Sequence, residues 1–551
     1  MQAAFFEAIG RQPDEDGPRL IYADWLEEQE DEPHARFIRM QCELARLEPH
    51  SVRHIELEAK CRTLLARHGS RWTPESWSAS ARYLRGFPES LEIHISDFVS
   101  QHEKLREQAP LHSIAIWGLS RCTAELAAAP ELQTLRRLRL TVNNRRELRG
   151  LIQLCQSPSL AHVSSLQLMF SYYEWNPELL GTLRGLGERM PLEELRIDLF
   201  GVPDGHAEFP ELNWGRQASF PRLRRLWMRS RWRNGLPGVL PMGLFGINAP
   251  QLESLRLDGL VPAGQFAPML RLPLHQVSDL YLHNPTAAPG FCTALAEHDA
   301  FANLRRLNLA DCCNCRELEE SLLNAERSFC CEELLIAAPM SFASPNFHVH
   351  LLEAMDCSRL RRFEAVHCGP HEWIELMRSK APLESLRLTN CNLATGGLPI
   401  SAAELNPSVS ETLRSLEFSR TNLTQEVFTT LTAGRFPQLT HLAMHQTHVG
   451  LPWRKACKQL CESGAFPSLA LLQLDGSSRF GAVGLSMLAE QGEFPELRVL
   501  ELRESRVSDL SIRRVLTTPR MPQLLRLRLE SCQGLSSGEQ LLEEFGERVE
   551  F

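Results

Sequence analysis

The segment LRVLELRESRVSDLSIRRVLTTPRMPQLLRLRL, from Leu497 to Leu529, contains the pattern that decides the fold. Its apolar triplet Leu497-Leu500-Leu502 returns as Leu524-Leu527-Leu529. The same arrangement of an apolar residue, two variable residues, an apolar residue, one variable residue and an apolar residue recurs sixteen times, with copies that begin at 111, 135, 163, 192, 223, 252, 277, 304, 331, 360, 383, 413, 439, 469, 497 and 524. A repeat of this length indicates a solenoid, in which each unit buries its apolar face only against its neighbours.

Each repeat predicts a strand that is followed by a turn, a helix and a return. The apolar triplet alternates with the two-residue period of a strand that has one buried face. Helical spacing follows in several units, as in 485–490. Proline fixes an extended entry and disfavours helix in the residue before it. Such pairs precede seven of the strands, and we expect the phenylalanines among them to fill the gap between units: Phe220-Pro221, Ala249-Pro250, Ala381-Pro382, Phe436-Pro437, Phe466-Pro467, Phe494-Pro495 and Met521-Pro522.

The ninth position of the repeat, counted from the first apolar residue, carries a small and weakly polar side chain. Cysteine occupies it at Cys312, Cys368, Cys391 and Cys532, and asparagine, serine or threonine occupies it at Asn143, Ser171, Thr421, Thr447, Ser477 and Ser505. Such a side chain can bond to backbone groups that are left unpaired where the strand turns away. We therefore predict that these cysteines are structural.

This order of elements resembles the leucine-rich repeat family in its longer, ribonuclease-inhibitor-like class, and position nine matches the family's asparagine-or-cysteine slot. The resemblance covers about residues 86–551, with a further strand expected at 91–93. It implies an α/β fold: a leucine-rich repeat solenoid of about 16–17 repeats, with a curved parallel sheet and helices on its convex side. We expect a small all-α domain to precede it.

Residues 1–50 do not repeat, and we predict helices at 2–9, 18–28 and 35–47. An apolar stripe is expected at Leu20, Ile21, Trp25 and Leu26. The strings PRLIYADWLEE, from Pro18, and FIRMQCELA, from Phe37, closely resemble a small "repeat-companion" domain that precedes leucine-rich repeats in planctomycete and myxobacterial proteins. That resemblance implies a bacterial protein and carries no known activity. The predicted domains are 1–50, a helical linker and cap at 51–85 that includes a helix at 52–67 and Trp72 and Trp77, and the repeats at 86–551.

Composition limits the classes of function. The chain is 43% apolar and 23% charged, which is typical of a folded protein. Its net charge of −9 argues weakly against a dedicated nucleic-acid binder. No apolar run approaches the roughly 18–20 residues of a membrane span, and the N-terminus lacks the pattern of a signal peptide. Sixteen cysteines without an export signal therefore predict a cytoplasmic protein with reduced thiols, which has no membrane partner.

Three groups of residues could carry chemistry. Thiolates at Cys312, Cys313, Cys315, Cys330 and Cys331 could hold zinc or could be core thiols whose clustering is fortuitous. Histidines at His441, His445 and His448, with Asp475, could form an acid–base or metal site, although positions three and seven of the strand predict solvated side chains. Asp24 beside Trp25 could be catalytic or could pair with Arg19 or Arg39. We favour the structural explanation each time and assign no catalytic residue, cofactor, metal or small-molecule substrate.

Recognition is expected at positions three, five and seven, whose side chains point out of the concave face of the sheet. Arginine and aromatic residues are typical of binding hot spots. The predicted partner-binding residues lie in the first half of the repeats: Arg137, Arg139, Arg196, Arg225, Trp227, Arg229, Arg256, Tyr281, His283, Arg306 and Asn308. Interleaved acids such as Glu194, Asp198, Asp258 and Asp279 could neutralise many of these arginines.

The resulting hypothesis is a non-catalytic scaffold that binds a protein partner. The same arginines leave nucleic-acid binding open as an alternative, and a second alternative is the substrate-recognition arm of an enzyme complex. Only five of the 59 basic residues are lysines. Either a coding bias explains this ratio, or recognition does, since guanidinium groups pair carboxylates and stack on aromatic rings.

Overall fold

The computed structural model describes residues 1–49, 51–72, 83–88, 91–110, 112–119, 121–171, 177–202, 218–232, 238, 240, 247–259, 272–283, 303–310, 330–337, 355–393, 404–475 and 481–551. These residues form two compact units. The first unit comprises the described residues of 1–46 and 64–304, and the second comprises those of 47–63 and 305–551.

Most strands of both units are parallel, and within each unit the successive strands of the main ladder pair with each other. The first unit contains β1 Tyr83–Leu84, β2 Phe87–Pro88, β3 Leu91–His94, β4 Ser113–Trp117, β5 Arg137–Val142, β6 Ser165–Phe170, β7 Glu194–Val202, β8 Arg225–Trp232, β9 Ser254–Asp258 and β10 Asp279–His283. Of these, β3 to β10 form the parallel ladder, whereas β1 and β2 form an antiparallel hairpin.

The second unit contains β11 Arg306–Ala310, β12 Glu333–Ala337, β13 Arg362–Val366, β14 Ser385–Thr389, β15 Ser415–Ser419, β16 Asn422–Leu423, β17 His441–His445, β18 His448–Val449, β19 Leu471–Asp475, β20 Val499–Arg503, β21 Arg526–Glu530 and β22 Val549–Glu550. The short strands β16 and β18 pair with each other, and Asn422 of β16 also forms an isolated bridge with Asn392. All sixteen predicted strands are present, the additional one at 91–93 is confirmed as β3, and β1, β2, β16, β18 and β22 were not predicted. Each unit has the architecture of a leucine-rich repeat solenoid.

The described helices are α1 Gln2–Arg11, α2 Gly17–Glu28, α3 Glu32–Leu44, α4 Val52–Trp72, α5 Ile95–Gln108, α6 Thr123–Ala128, α7 Arg145–Cys155, α8 Pro177–Arg184, α9 Leu186–Arg189, α10 Pro370–Arg378, α11 Pro407–Ser410, α12 Gln425–Ala433, α13 Trp453–Glu462, α14 Gly481–Gln491, α15 Asp509–Thr517 and α16 Gly538–Phe545. Short 3-10 turns occupy Pro130–Thr134, Pro158–Leu160, Leu274–Gln276, Cys357–Arg359 and Gly546–Arg548. In the part of the chain that the structure describes, no helix has the length and hydrophobicity needed to cross a membrane.

The phenylalanines before proline pack as predicted. Phe220, Phe436, Phe466 and Phe494 are all buried. The rings of Phe436 and Phe466, which belong to adjacent repeats, stack with their centroids 5.8 Å apart. Each Phe-Pro pair therefore precedes a strand and also supplies a buried aromatic ring, and the rings of Phe436 and Phe466 contact each other between repeats.

Positions eight and nine form the turn that ends six strands of the second unit. Position eight has a left-handed backbone conformation at His367, Asn390, Arg420, Gln446, Glu504 and Ser531, with φ between 45° and 65°. That conformation turns the next side chain inward. The Thr421 hydroxyl lies 3.2 Å from the carbonyl oxygen of Leu388 in the preceding strand, and the Cys391 thiol similarly approaches the carbonyl of Ala365. The predicted structural role of position nine is confirmed at Thr421, Cys391 and Cys532, whereas Cys312 and Ser477 lie outside the described residues.

The N-terminal helices α1 to α3 enclose a small core of their own. Phe6, Tyr22 and Ile38 pack there with Phe87 of β2. The predicted stripe on α2 was wrong at Ile21, which is exposed, because the inward face is Arg19, Tyr22, Ala23 and Leu26. These four residues keep the i, i+3, i+4, i+7 spacing of a helix face.

Within the first unit, several contacts join these helices to the hairpin and to the repeats. Helix α1 packs against α5, the helix of the first repeat. The hairpin turn at Arg85 and Gly86 has positive φ at both residues, and a Cβ on Gly86 would collide with Ile38. Trp72, which we expected to cap the first repeat, instead stacks on His34 and Phe37 of α3. Trp77 lies outside the described residues.

We predict that replacing Thr421 with valine destabilises the second unit. Valine keeps the shape but removes the hydroxyl that donates to strand carbonyls and accepts from the backbone N–H of Cys391. Unsatisfied buried groups of this kind cost about 1–3 kcal/mol. Urea denaturation should show a lower midpoint for Thr421→Val, whereas Thr421→Ser, which retains the hydroxyl, should stay close to the original protein. Equal midpoints for both variants would contradict the role of position nine.

Candidate recognition surface

Strand register in the first unit places the fifth residue of every repeat in one row. Consecutive pairings join β5 to β10 without a slip at this position. Positions three and seven form parallel rows on the same side of the sheet, and we call this side the variable face. The row at position five consists of Arg139, Gln167, Arg196, Trp227, Arg256 and Tyr281.

Arginines and aromatic rings alternate at the end of this row. The guanidinium carbon of Arg196 lies 3.5 Å from the ring centroid of Trp227, and that of Arg256 lies 5.0 Å from it. Arg256 also lies 5.6 Å from the centroid of Tyr281. We call Arg196, Trp227, Arg256 and Tyr281 the stacked row. Each cation–π contact contributes roughly 0.5–2 kcal/mol, and together they restrict the rotamers of long side chains.

Buried carboxylates at position seven fix several of the arginines. Asp198 is completely buried, and its Oδ2 accepts hydrogen bonds of 2.7 Å from both Arg196 and Gln167. Asp258 forms ion pairs with Arg229 at 3.1 Å and with Arg231 at 2.8 Å. A buried carboxylate is costly unless it is paired in this way. Arg196 and Arg229 are therefore each held both by a buried aspartate and by a contact with an aromatic ring.

The remaining predicted arginines also have acidic partners. Arg137 lies 3.7 Å from Asp14, Arg139 lies 2.9 Å from Glu92, Arg225 lies 3.3 Å from Glu194, and Arg306 lies 3.3 Å from Glu333. The expectation that interleaved acids neutralise these arginines is thus confirmed for Glu194, Asp198 and Asp258. Arg256 differs from them: it is exposed, and within the described residues no carboxylate pairs with it.

The eleven predicted residues do not all belong to one unit. Nine lie on the variable face of the first unit, whereas Arg306 and Asn308 belong to β11 of the second unit. His283 lies next to the stacked row, with its Nδ1 3.0 Å from the hydroxyl of Tyr281. Burial raises the pKa of Tyr281, so this phenol stays protonated at neutral pH.

Trp117 is a candidate that the sequence analysis missed. It occupies position seven of the degenerate repeat that begins at 111, and it is 46% exposed beside the imidazole of His94, with centroids 4.5 Å apart. Large exposed aromatic residues are uncommon on a folded surface. The signal was present in the repeat numbering, because position seven of every repeat lies on the variable face.

The variable face of the second unit is partly covered by the chain itself. Ile55 and Ala59 of α4 form a buried cluster with Ala470 and Val499, of which Val499 is a position-three residue of β20. Val52 and Leu471 pack at its edge. Glu48 forms an ion pair of 2.6 Å with Arg414. A helix that precedes the repeats in the chain therefore occupies part of the face that we expected to be free.

Beside this helix, buried polar side chains on neighbouring strands form one hydrogen-bonded chain. The Ser415 hydroxyl lies 2.9 Å from His441 Nδ1, and His441 Nε2 lies 2.8 Å from the amide oxygen of Gln473. Gln473 in turn donates to Glu501, which pairs with Arg503 at 2.6 Å. His441 is only 4% exposed, so the expectation that it is solvated was wrong. This network is better suited to structure than to acid–base chemistry because its groups satisfy one another away from solvent.

The other two chemical alternatives also have structural explanations. Asp24 accepts a 2.7 Å hydrogen bond from Arg39, and Trp25 stacks on Tyr22. Burial raises the pKa of Cys331 to about 12, which disfavours the thiolate that zinc needs. Cys312, Cys313 and Cys315 lie outside the described residues. Among the residues that are described, no three potential ligands of the histidine, cysteine or carboxylate type gather in one place.

The buried histidine predicts a pH dependence of stability. Burial lowers the pKa of His441 below its ordinary value near 6.5. The unfolded chain then takes up the proton more readily, so the contribution of His441 to stability is present above about pH 6.5 and is lost as the pH falls. We expect the melting temperature of His441→Gln to fall less than that of the original protein between about pH 7.5 and pH 5.5. Parallel pH profiles would show that His441 does not contribute.

A scan against models of protein families finds no match for this chain, and neither does a search of curated proteins. Among solved structures, an internalin from Listeria monocytogenes is 12% identical, over 76% of this chain and 88% of that chain, with a TM-score of 0.27. A chain of the yeast Rad7 and Elc1 complex is 13% identical, over 94% and 92%, with a TM-score of 0.32. A chain of the LRIM1/APL1C complex is 11% identical, over 84% and 60%, with a TM-score of 0.23.

Proposed function

We propose that this chain is a non-catalytic recognition scaffold, and that a protein partner binds the variable face of its first unit. The observation that carries the proposal is the stacked row, in which Trp227 and Tyr281 alternate with Arg196 and Arg256. Tryptophan, tyrosine and arginine are the residues that most often dominate the binding energy of protein interfaces. Their geometry is held before any partner arrives, which reduces the entropy lost on binding.

Two further observations support the first unit, rather than the second, as the place where the partner binds. Helix α4 already occupies part of the second unit's variable face. Several residues at positions three and five of its strands are buried, including His441, Ala443, Glu501 and Arg528. At positions three, five and seven of the described first unit, only Ala115, Asp198 and Asp258 are buried. A larger share of these side chains is therefore accessible there than in the described part of the second unit.

The arginines do not favour nucleic acid to the same extent. Phosphate binding depends on unpaired positive charge. Six of the seven predicted arginines pair with carboxylates, and Arg256 is the exception among the described residues. Roles as a substrate-recognition arm, a cytoplasmic location and the domain boundaries at 50 and 85 remain predictions from the sequence.

We predict that the double variant Trp227→Ala with Tyr281→Ala loses a partner that the original chain captures from its host. Removing two aromatic anchors should weaken binding by at least about tenfold, which corresponds to 1.4 kcal/mol. The measurement is quantitative mass spectrometry of purified complexes, followed by titration of the captured protein. Arg514→Ala, on helix α15, is the matched control because it removes an exposed arginine away from the strands. Equal capture by the double variant would place the interface elsewhere.

We also predict that a labelled DNA duplex binds only weakly to the full chain, and that its affinity changes little as the salt concentration is raised to about 0.15 M. The paired arginines would release few counterions, so the slope of affinity against salt should be shallow. Fluorescence anisotropy over a salt series measures both quantities. Tight binding with a steep slope would favour the nucleic-acid alternative instead.

A further inference from the structure

Arg256 stands out on the variable face because, among the residues that the structure describes, no carboxylate pairs with it. Its guanidinium is exposed and lies between the rings of Trp227 and Tyr281. The neighbouring Arg196 and Arg229, by contrast, each pair with a buried aspartate. Aromatic faces position a guanidinium without consuming its hydrogen-bond donors, which lie in its plane. The donors of Arg256 are therefore available to a partner.

The charged side chains around Arg256 also favour the binding of an anion. Around Arg256, and within the described residues, the guanidinium groups of Arg196, Arg229 and Arg231 pair with two carboxylates, those of Asp198 and Asp258. With Arg256 included, this group has two more positive than negative charges. Asp279, on the adjacent strand, reduces the excess to one. The local potential attracts a small anion such as a carboxylate more than it attracts a string of phosphates.

Trp117 provides an apolar contact at the other end of the same face. It belongs to β4, and Arg256 belongs to β9, five strands further along the ladder. Parallel strands lie about 4.8 Å apart, so the two side chains originate about 24 Å from each other. An extended peptide advances about 3.3 Å per residue, and about seven residues span this distance.

We infer that the partner presents an extended acidic segment, in which a carboxylate pairs with Arg256 and an apolar side chain, about seven residues away, packs on Trp117. This inference rests on the proposed function and specifies the chemistry of the partner. Arginine and carboxylate can form two parallel hydrogen bonds, which fixes the orientation of the segment. The tryptophan then fixes where along the face the segment lies.

Selection of random sixteen-residue peptides displayed on phage, with the full chain as bait, tests the inference. Enriched peptides should carry aspartate or glutamate about six to eight positions from an aromatic or aliphatic residue. One enriched peptide, labelled with fluorescein, should bind at least about tenfold more weakly to Arg256→Gln and to Trp117→Ala. Arg514→Gln should leave its affinity unchanged. In the peptide, replacing the acid with its amide should weaken binding to the original chain but not further weaken binding to Arg256→Gln.

The outcomes separate this inference from the proposed function. Peptides whose binding requires Trp227 and Tyr281 but is unaffected by Arg256→Gln would contradict the acidic segment. They would still support the variable face of the first unit as the binding surface. Peptides that are insensitive to all of these substitutions would overturn both. Enriched peptides that lack an acidic residue would also overturn the inference. No enrichment above background would do the same, because the inference requires that an extended segment binds by itself.

Discussion

The register of the parallel strands is the constraint on which the rest of the molecule depends. Because side chains alternate between the two sides of a strand, a slip of one residue would exchange the buried and exposed sets of an entire repeat. The turn at positions eight and nine prevents such a slip in the second unit. A left-handed residue such as Arg420 ends the strand, and the hydroxyl of Thr421 then bonds to the carbonyl of Leu388 in the strand before. In the described turns of this kind, the repeat is thus aligned by its predecessor.

Because of this alignment, residues at the same position of successive repeats lie side by side on one surface. Arg196, Trp227, Arg256 and Tyr281 are separated by 25 to 31 residues in sequence, yet register makes them neighbours. The prevalence of arginine over lysine has a physical use here. A guanidinium can lie flat on Trp227 while its edge donates to Asp198, as Arg196 does. An ammonium group is a point charge and cannot do both with the same geometry.

Most of the fold could be predicted because its signals are local and repeated. The strand positions, the proline entries and the polar ninth position each follow from a few adjacent residues. The left-handed eighth position was missed because non-glycine residues such as Arg420 and Gln446 occupy it, and their identity does not reveal a positive φ. The stripe on α2 was misplaced at Ile21 because apolar character alone was counted. Arg19 is buried instead, since the carbonyl oxygen of Glu15 accepts a hydrogen bond from its guanidinium.

The surface was harder to predict than the fold because accessibility depends on contacts that are distant in sequence. Position three predicts exposure for both Arg225 and Val499, but α4 packs on Val499, more than 400 residues away along the chain. Ile55 and Ala59 have the spacing of any amphipathic helix, so nothing local indicates which surface they cover. Repeat numbering therefore identifies which side chains could contact a partner, and only tertiary packing determines which of them remain available. Both the repeat numbering and the tertiary packing determine the accessible charge of Arg256. Strand register gives Arg256 two aromatic neighbours. The adjacent arginines pair with Asp198 and Asp258, whereas among the described residues no carboxylate accepts from the donors of Arg256.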